Sequence, residues 1–292
     1  MRYTHVDVFT GRPYDGNSLA VFPEADALTA AQMLGITREM RHFESVFLAR
    51  DPARPRTYRA RVFDLAGELD FAGHPLIGAA GVLHAGHAAQ DDLTWTLRLR
   101  ARTVEVATRR TGPLRYESTL DQGPAEFPGG PCDAGAATPA EIAAWFALDA
   151  DDLDPDLPPL TVSTGLRYLV VPVRGDALAR ARVATPLDGP LGRVGAGYAY
   201  LLDATAMEGR HWTNDGALED TATGSGAGCA AAYLRRYGRI GDGEPAVLRQ
   251  GRFTGRTGEM SVTAYGHGDQ VRSVKVGGGV AIVAEGVLAA LP

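Results

Sequence analysis

The residues of this chain that could do chemistry cluster around one small-residue phrase that occurs twice. Residues 72–83 read Ala-Gly-His-Pro-Leu-Ile-Gly-Ala-Ala-Gly-Val-Leu, and residues 223–234 read Thr-Gly-Ser-Gly-Ala-Gly-Cys-Ala-Ala-Ala-Tyr-Leu. Laid over each other, Gly73 meets Gly224, His74 meets Ser225 and Leu83 meets Leu234, at an offset of 151 residues in a chain of 292. Each phrase reads as the mouth of a helix. The first amides of a helix have no internal partner and sit at the positive end of its dipole. A glycine there lets a ligand reach the bare backbone, and such a mouth binds carboxylates and phosphates. Gly73, Gly224 and Gly226, with the Ser225 hydroxyl, are therefore candidates to hold an anionic substrate. For either copy alone, close helix–sheet packing explains the glycines as well. Two copies in two related halves favour one anion site built from both.

Proton chemistry needs a carboxylate or an imidazole beside that anion. Glu44 stands in Phe43-Glu44-Ser45-Val46-Phe47-Leu48, His74 at the first mouth, and Asp220 five residues before Ser225. Singly, each has a plain structural reading: a solvated strand face, a core histidine, a helix cap or turn. Sequence spacing alone does not bring the three together. Other chemistries lack their motifs. There is no Gly-Lys-Ser/Thr phosphate loop, and 224–228 lacks the dinucleotide-binding glycine spacing. No His-Glu-x-x-His and no Cys-x-x-Cys is present, so a zinc site is unsupported. Thr223 breaks a Gly-x-Ser-x-Gly elbow around Ser225. Lys275 is the only lysine, which disfavours a Schiff base.

The elements that must position these residues are legible in outline. Residues 3–9 and 18–23 read as strands joined by the turn-rich Pro13-Tyr14-Asp15-Gly16-Asn17. A helix over 29–41 has Thr29 as N-cap. Strands follow at 44–49, 57–64, 93–99 and 103–108, with a helix at 75–86 opened by Pro75. The stretch 109–160 is rich in Gly, Pro and Asp, apart from a helix at 138–147 carrying Thr138, Pro139 and Glu141 as its start signals. Strands near 160–173 and 198–203, a helix at 226–238, and strands near 246–253, 258–264 and 271–283 complete the chain. Mixed strands and few helices in two similar halves argue an α+β fold, not alternating βαβ units. The expected division is residues 1–120 and 121–292, with the final segment free to return to the first half.

Composition narrows the class. With 45% hydrophobic and 22% charged residues, the chain can bury sizeable cores. A net charge of −6 argues against a polyanion-binding surface, so no nucleic-acid partner is expected. No run of 18 apolar residues and no signal-like leader is seen, so the expectation is a cytoplasmic protein without membrane contact. Cys132 and Cys229 are too few for a disulfide framework.

Taken together, these segments resemble the PhzF-like phenazine-biosynthesis isomerases, relatives of diaminopimelate epimerase in fold. The matching pieces are Asp7-Val8-Phe9-Thr10, Gly16-Asn17-Ser18-Leu19-Ala20-Val21, Glu44-Ser45-Val46-Phe47 and Asp70-Phe71-Ala72-Gly73-His74-Pro75. Glu219-Asp220-Thr221-Ala222-Thr223-Gly224-Ser225, Gln250-Gly251 with Gly255-Arg256, and Gly277-Gly278-Gly279 complete the order. The resemblance implies two similar halves, each a mixed sheet curled around a central helix, with the site in the cleft between them. It implies Glu44 as the catalytic acid/base, supported by His74, Asp220 and Ser225, and no cofactor or metal. It also implies a homodimer acting on a small carboxylate such as a dihydro-hydroxyanthranilate. Burial would raise the pKa of Glu44 so that it can both take and return a proton.

Epimerases of this fold use a thiol at each helix mouth; the corresponding positions here are Ala72 and Thr223. Thr221 stands where the family commonly has proline, and Arg41-His42-Phe43 is bulkier and more basic than usual. One-carboxylate proton shuttling is favoured. The alternatives are a non-catalytic small-molecule-binding protein and a thiol-independent epimerase.

Overall fold

The computed structural model describes residues 1–87, 90–129 and 136–292, so Cys132 lies outside the described residues. The chain divides into two compact units, Met1–Asp121 with Gly277–Pro292, and Gln122–Val276. Both combine mixed strands with a buried helix, which is the expected α+β class.

In the first unit, strand Arg2–Val8 lies between Asn17–Phe22 and the C-terminal strand Gln270–Val287, antiparallel to both. Asn17–Phe22 pairs in parallel with Glu44–Arg50, which is antiparallel to Thr57–Asp64. Asp92–Arg98, Thr103–Gly112 and Arg115–Asp121 follow. The last of these pairs with the C-terminal strand, so the sheet closes on itself. Helix His74–Ala85 packs against this ring of strands and is buried from His74 to His84. A helix apolar on all sides belongs in a core. Its glycines permit the close approach: a Cβ at Gly78 would stand 2.5 Å from Leu19 Cδ2 and 2.9 Å from Val8 Cγ2.

Helix Ala30–Met40 covers the other face of the same strands. Thr29 accepts from Gln32 N while the Gln32 side chain accepts from Thr29 N, a reciprocal cap. Against this helix pack Ala20, Phe22, Phe47 and Phe63, with Phe22 and Phe47 stacked at 4.7 Å. Strand side chains alternate, so Leu19 faces one helix while Ala20 and Phe22 face the other.

In the second unit, helix Gly224–Arg236 is buried from Gly224 to Leu234. It packs on strands Gly258–His267, Leu160–Ser163, Arg167–Pro172 and Tyr198–Asp203. Helix Pro139–Trp145, started by the Thr138–Glu141 box, joins Leu169, Val171, Leu187 and Leu191 in a separate core.

The structure departs from the sequence expectations at element ends. The helix expected over 226–238 starts two residues earlier and ends at Arg236. The strand expected over 246–253 stops at Gln250, because Gly251 turns with φ +95° and a Cβ there would meet Thr221 O at 2.6 Å. The polar stretch after residue 109 hides two strands, Arg115–Asp121 and Glu126–Gly129. In the first, buried Ser118 replaces the apolar residue that alternation would need to announce a strand.

Candidate active site

Three polar side chains converge at the mouth of helix His74–Ala85. Glu44 opens its strand in parallel register with Leu19, and register partners of a parallel pair share a face. Asn17, two residues before Leu19, shares that face too. His74 is the first residue of the helix, followed by Pro75 in its first turn. Glu44 Oε2 lies 3.5 Å from His74 Nδ1, with the two side chains 13% and 4% exposed. Asn17 Nδ2 lies 3.5 Å from the same nitrogen.

Two proton arrangements satisfy this geometry. In one, a Glu44 carboxylate faces a protonated Nδ1. In the other, a bare Nδ1 accepts either from a protonated Glu44 or from the Asn17 amide, its one lone pair serving one donor at a time. A carboxyl accommodated in both forms is what a reversible proton carrier needs.

Within the basic Arg41-His42-Phe43 segment, His42 lies away from this pair. Arg41 ends helix Ala30–Met40 in the left-handed conformation, φ 55°. His42 Nδ1 then reaches Ser18 Oγ at 3.1 Å, and its ring lies 4.7 Å from that of His5. Ser18 pairs with Asp7 and Ala20 with His5. By strand alternation this histidine group occupies the face opposite Asn17, Leu19 and Glu44.

In the second unit, Asp220 and Ser225 belong to two hydrogen-bonded groups at the mouth of helix Gly224–Arg236. Asp220 pairs across a short antiparallel ladder with His211. Asp220 Oδ2 accepts from Thr223 Oγ1 at 2.6 Å. Gln250 ties this turn together: its Nε2 donates to Asp220 O at 2.7 Å and to Thr223 Oγ1 at 2.9 Å. Its Oε1 accepts from Thr223 N and from Tyr200 OH. Thr223, which stands where an epimerase of this fold would place a thiol, is thus a fixed structural hydroxyl.

Ser225 Oγ shares a hydrogen bond of 2.8 Å with Tyr168 OH. Burial pushes the Tyr168 phenol well above its ordinary value, so it stays protonated beside Ser225. His211 packs edge-on to Tyr168 at 5.6 Å and bonds Ala199 O through Nδ1. Burial lowers its pKa, an effect Asp220 opposes.

The glycines at this mouth divide by purpose. A Cβ at Gly226 would come within 2.6 Å of Tyr200 Cδ2, and one at Gly228 would collide with the Gln122 side chain. Close packing therefore requires glycine at 226, while its amide remains in the first turn, where no intrahelical acceptor exists. The helix proper is bonded from Ala227 N to Thr223 O.

Cys229 is buried one turn further in. Its Sγ donates to Val162 O at 3.4 Å, and burial pushes its pKa up to about 11. Among the described residues no group of three or more His, Cys, Asp or Glu side chains could hold a metal ion.

Sequence reasoning singled out Glu44, His74, Asp220 and Ser225 but gave no role to Asn17, Tyr168, His211 or Gln250. Asn17 was masked by its turn-rich neighbours. Gln250 carried a signal only as half of a Gln-Gly pair.

The model of a family described as phenazine biosynthesis-like protein matches residues 6–286. A trans-2,3-dihydro-3-hydroxyanthranilate isomerase of Pseudomonas aeruginosa is 33% identical, covering 98% of each chain. Among solved structures, a "predicted epimerase" of Pseudomonas aeruginosa superposes with a TM-score of 0.92 at 46% identity, covering 99% of each chain. A PhzF-family protein of Bacillus anthracis superposes with a TM-score of 0.84 over 99% of each chain, and at 22% identity it speaks for the fold alone.

Proposed function

The chain belongs to the phenazine biosynthesis-like family and is an isomerase, and from that premise we propose that it moves a proton between carbons of a small cyclic carboxylate. The substrate class is that of trans-2,3-dihydro-3-hydroxyanthranilate, the compound named for the Pseudomonas aeruginosa relative.

Glu44 takes a proton from one ring carbon. The C–H electron pair moves into the ring, the adjacent double bond shifts, and a proton is delivered to a second carbon. The new enol then relaxes to its ketone. Nothing is oxidised or reduced, so the residues described suffice in principle. His74 Nδ1 holds the Glu44 proton between the two steps. Ser225, with the first-turn amides at Gly224 and Gly226, is suited to hold a substrate carboxylate and the charge that develops on its ring. Asp220 orients that mouth through Thr223.

The observation that carries this reading is the buried Glu44–His74 contact at 3.5 Å. Replacing Glu44 by Gln keeps its size and removes the acid/base. Turnover of the diene acid is expected to fall by about 10²–10⁴-fold with its binding retained. Near-normal turnover by Glu44→Gln would sink the assignment.

Single-centre epimerisation by the same carboxyl is the second reading, favoured by the 46%-identical Pseudomonas aeruginosa structure, which is named an epimerase. In heavy water it would place deuterium on the carbon that lost its proton, whereas the isomerisation places it on a different one.

A further inference from the structure

We propose that the first unit carries a second binding site, for a planar aromatic carboxylate, in the hollow formed by Arg50, Arg56, Tyr58, His87 and Trp95. The hollow measures about 410 Å³, room for a one- or two-ring molecule. It lies beyond the far end of helix His74–Ala85 from Glu44: His87 follows that helix and bonds Leu83 O through Nδ1 at 3.0 Å.

Three aromatic rings build its wall. Trp95 is fully buried and anchored by its indole N–H on Thr108 Oγ1 at 3.2 Å. His87 stands edge-on to Trp95 at 5.1 Å and Tyr58 lies tilted at 6.1 Å, so the last two present ring surface above a fixed base. Stacked or edge-on aromatic contact is what a flat ligand finds there.

Two guanidinium groups supply the charge. Arg50 and Arg56 are exposed, and among the described residues neither has a carboxylate within ion-pair distance. This sets them apart from neighbouring Arg98 and Arg61, which are committed to Asp51 and Glu68. Burial holds the Tyr58 hydroxyl above its ordinary pKa, and the charge of Arg50 opposes that rise. Two arginines lining the same hollow as these rings match a carboxylate on a planar ring, through forked hydrogen bonds and stacking.

The backbone at Arg56 adds an independent observation. Arg56 is a non-glycine residue with φ 54°. Its carbonyl accepts from Thr96 N at 2.9 Å, and the loop is pinned by Asp51 N bonding Thr57 O. Glycine would take this conformation without strain. An arginine held there by its surroundings keeps a charged side chain at the rim of the hollow at some cost in backbone strain.

Benzoate is the probe, with benzamide and inorganic phosphate as controls. Binding is followed by the NMR signal of the Trp95 indole N–H, assigned with a Trp95→Phe variant. Benzoate is expected to shift that signal saturably. Arg50→Ala is expected to weaken binding about ten-fold, and the double variant Arg50→Ala/Arg56→Ala about a hundred-fold. Arg56→Gly is expected to bind as weakly as Arg56→Ala while melting no lower than wild type, since the backbone strain is gone. The Glu44→Gln variant should leave the shift unchanged, which separates this site from the one proposed for catalysis. The proposal is overturned if benzoate leaves the Trp95 signal unmoved, if benzamide or phosphate shifts it as well as benzoate does, or if the double variant binds like wild type.

Discussion

At the residue scale, the account rests on which groups can exchange protons and which are locked. Glu44 sits against His74 with room for either proton arrangement. Thr223 and Cys229 do not have that freedom. The Thr223 hydroxyl is committed to Asp220 and Gln250, and the Cys229 thiol is buried with a pKa of about 11. Cys229→Ala should therefore keep full turnover; a large loss on that substitution would restore thiol chemistry.

His211 gives a pH prediction. Its pKa in the fold lies below the ordinary 6.5 because burial disfavours the cation. The unfolded chain then binds the proton more readily. Stability is whole above the ordinary value and is lost as pH falls through it toward the folded one. Denaturant midpoints at about pH 7.5 and about pH 5.5 should show wild type losing more than His211→Gln. Equal losses would mean that His211 does not carry the acid sensitivity. Glu44, His74, Asp220 and Ser225 could each be named from sequence, yet the Glu44–His74 contact could not. Thirty residues separate them, and only strand register and a glycine-lined helix make them neighbours.

At the element scale, the two buried helices set the geometry. A helix deep in a sheet needs missing side chains where strands cross it, which is why Gly78 faces Leu19 and Val8 and why Gly226 faces Tyr200. Gly78→Ala should cost about 1–3 kcal/mol of stability by overpacking. Because the clash lies one turn below His74, turnover should fall as well. A thermal melt and an activity assay on the same sample check both, and an unchanged melting temperature would contradict the packing argument.

The helices and most strands were legible because their caps and periodicity are local. Thr29, Thr138 and Pro75 each announce a helix start within four residues. The strands Arg115–Asp121 and Glu208–Trp212 were not legible: buried Ser118 in one, and buried Arg210 and His211 in the other, take positions that alternation reserves for apolar residues. Arg210 tolerates burial because Glu219 holds it with two hydrogen bonds and two carbonyls accept from its Nη1.

At the scale of the whole molecule, the chain is a member of the phenazine biosynthesis-like isomerases with a diaminopimelate epimerase-like fold. No helix among the described residues is long and apolar enough to cross a membrane. We propose a homodimer, which sedimentation would report as twice the chain mass of 30.9 kDa; a monomer at that mass would overturn it. The central claim is that Glu44 carries a proton from one ring carbon to another. The most direct measurement is turnover of trans-2,3-dihydro-3-hydroxyanthranilate in heavy water, followed by carbon and deuterium NMR, for wild type and Glu44→Gln side by side. With the proton on Glu44 exchanging with solvent between the two steps, the account predicts deuterium at a carbon other than the one deprotonated with wild type, and none with Glu44→Gln. Equal deuterium incorporation by both proteins would contradict it.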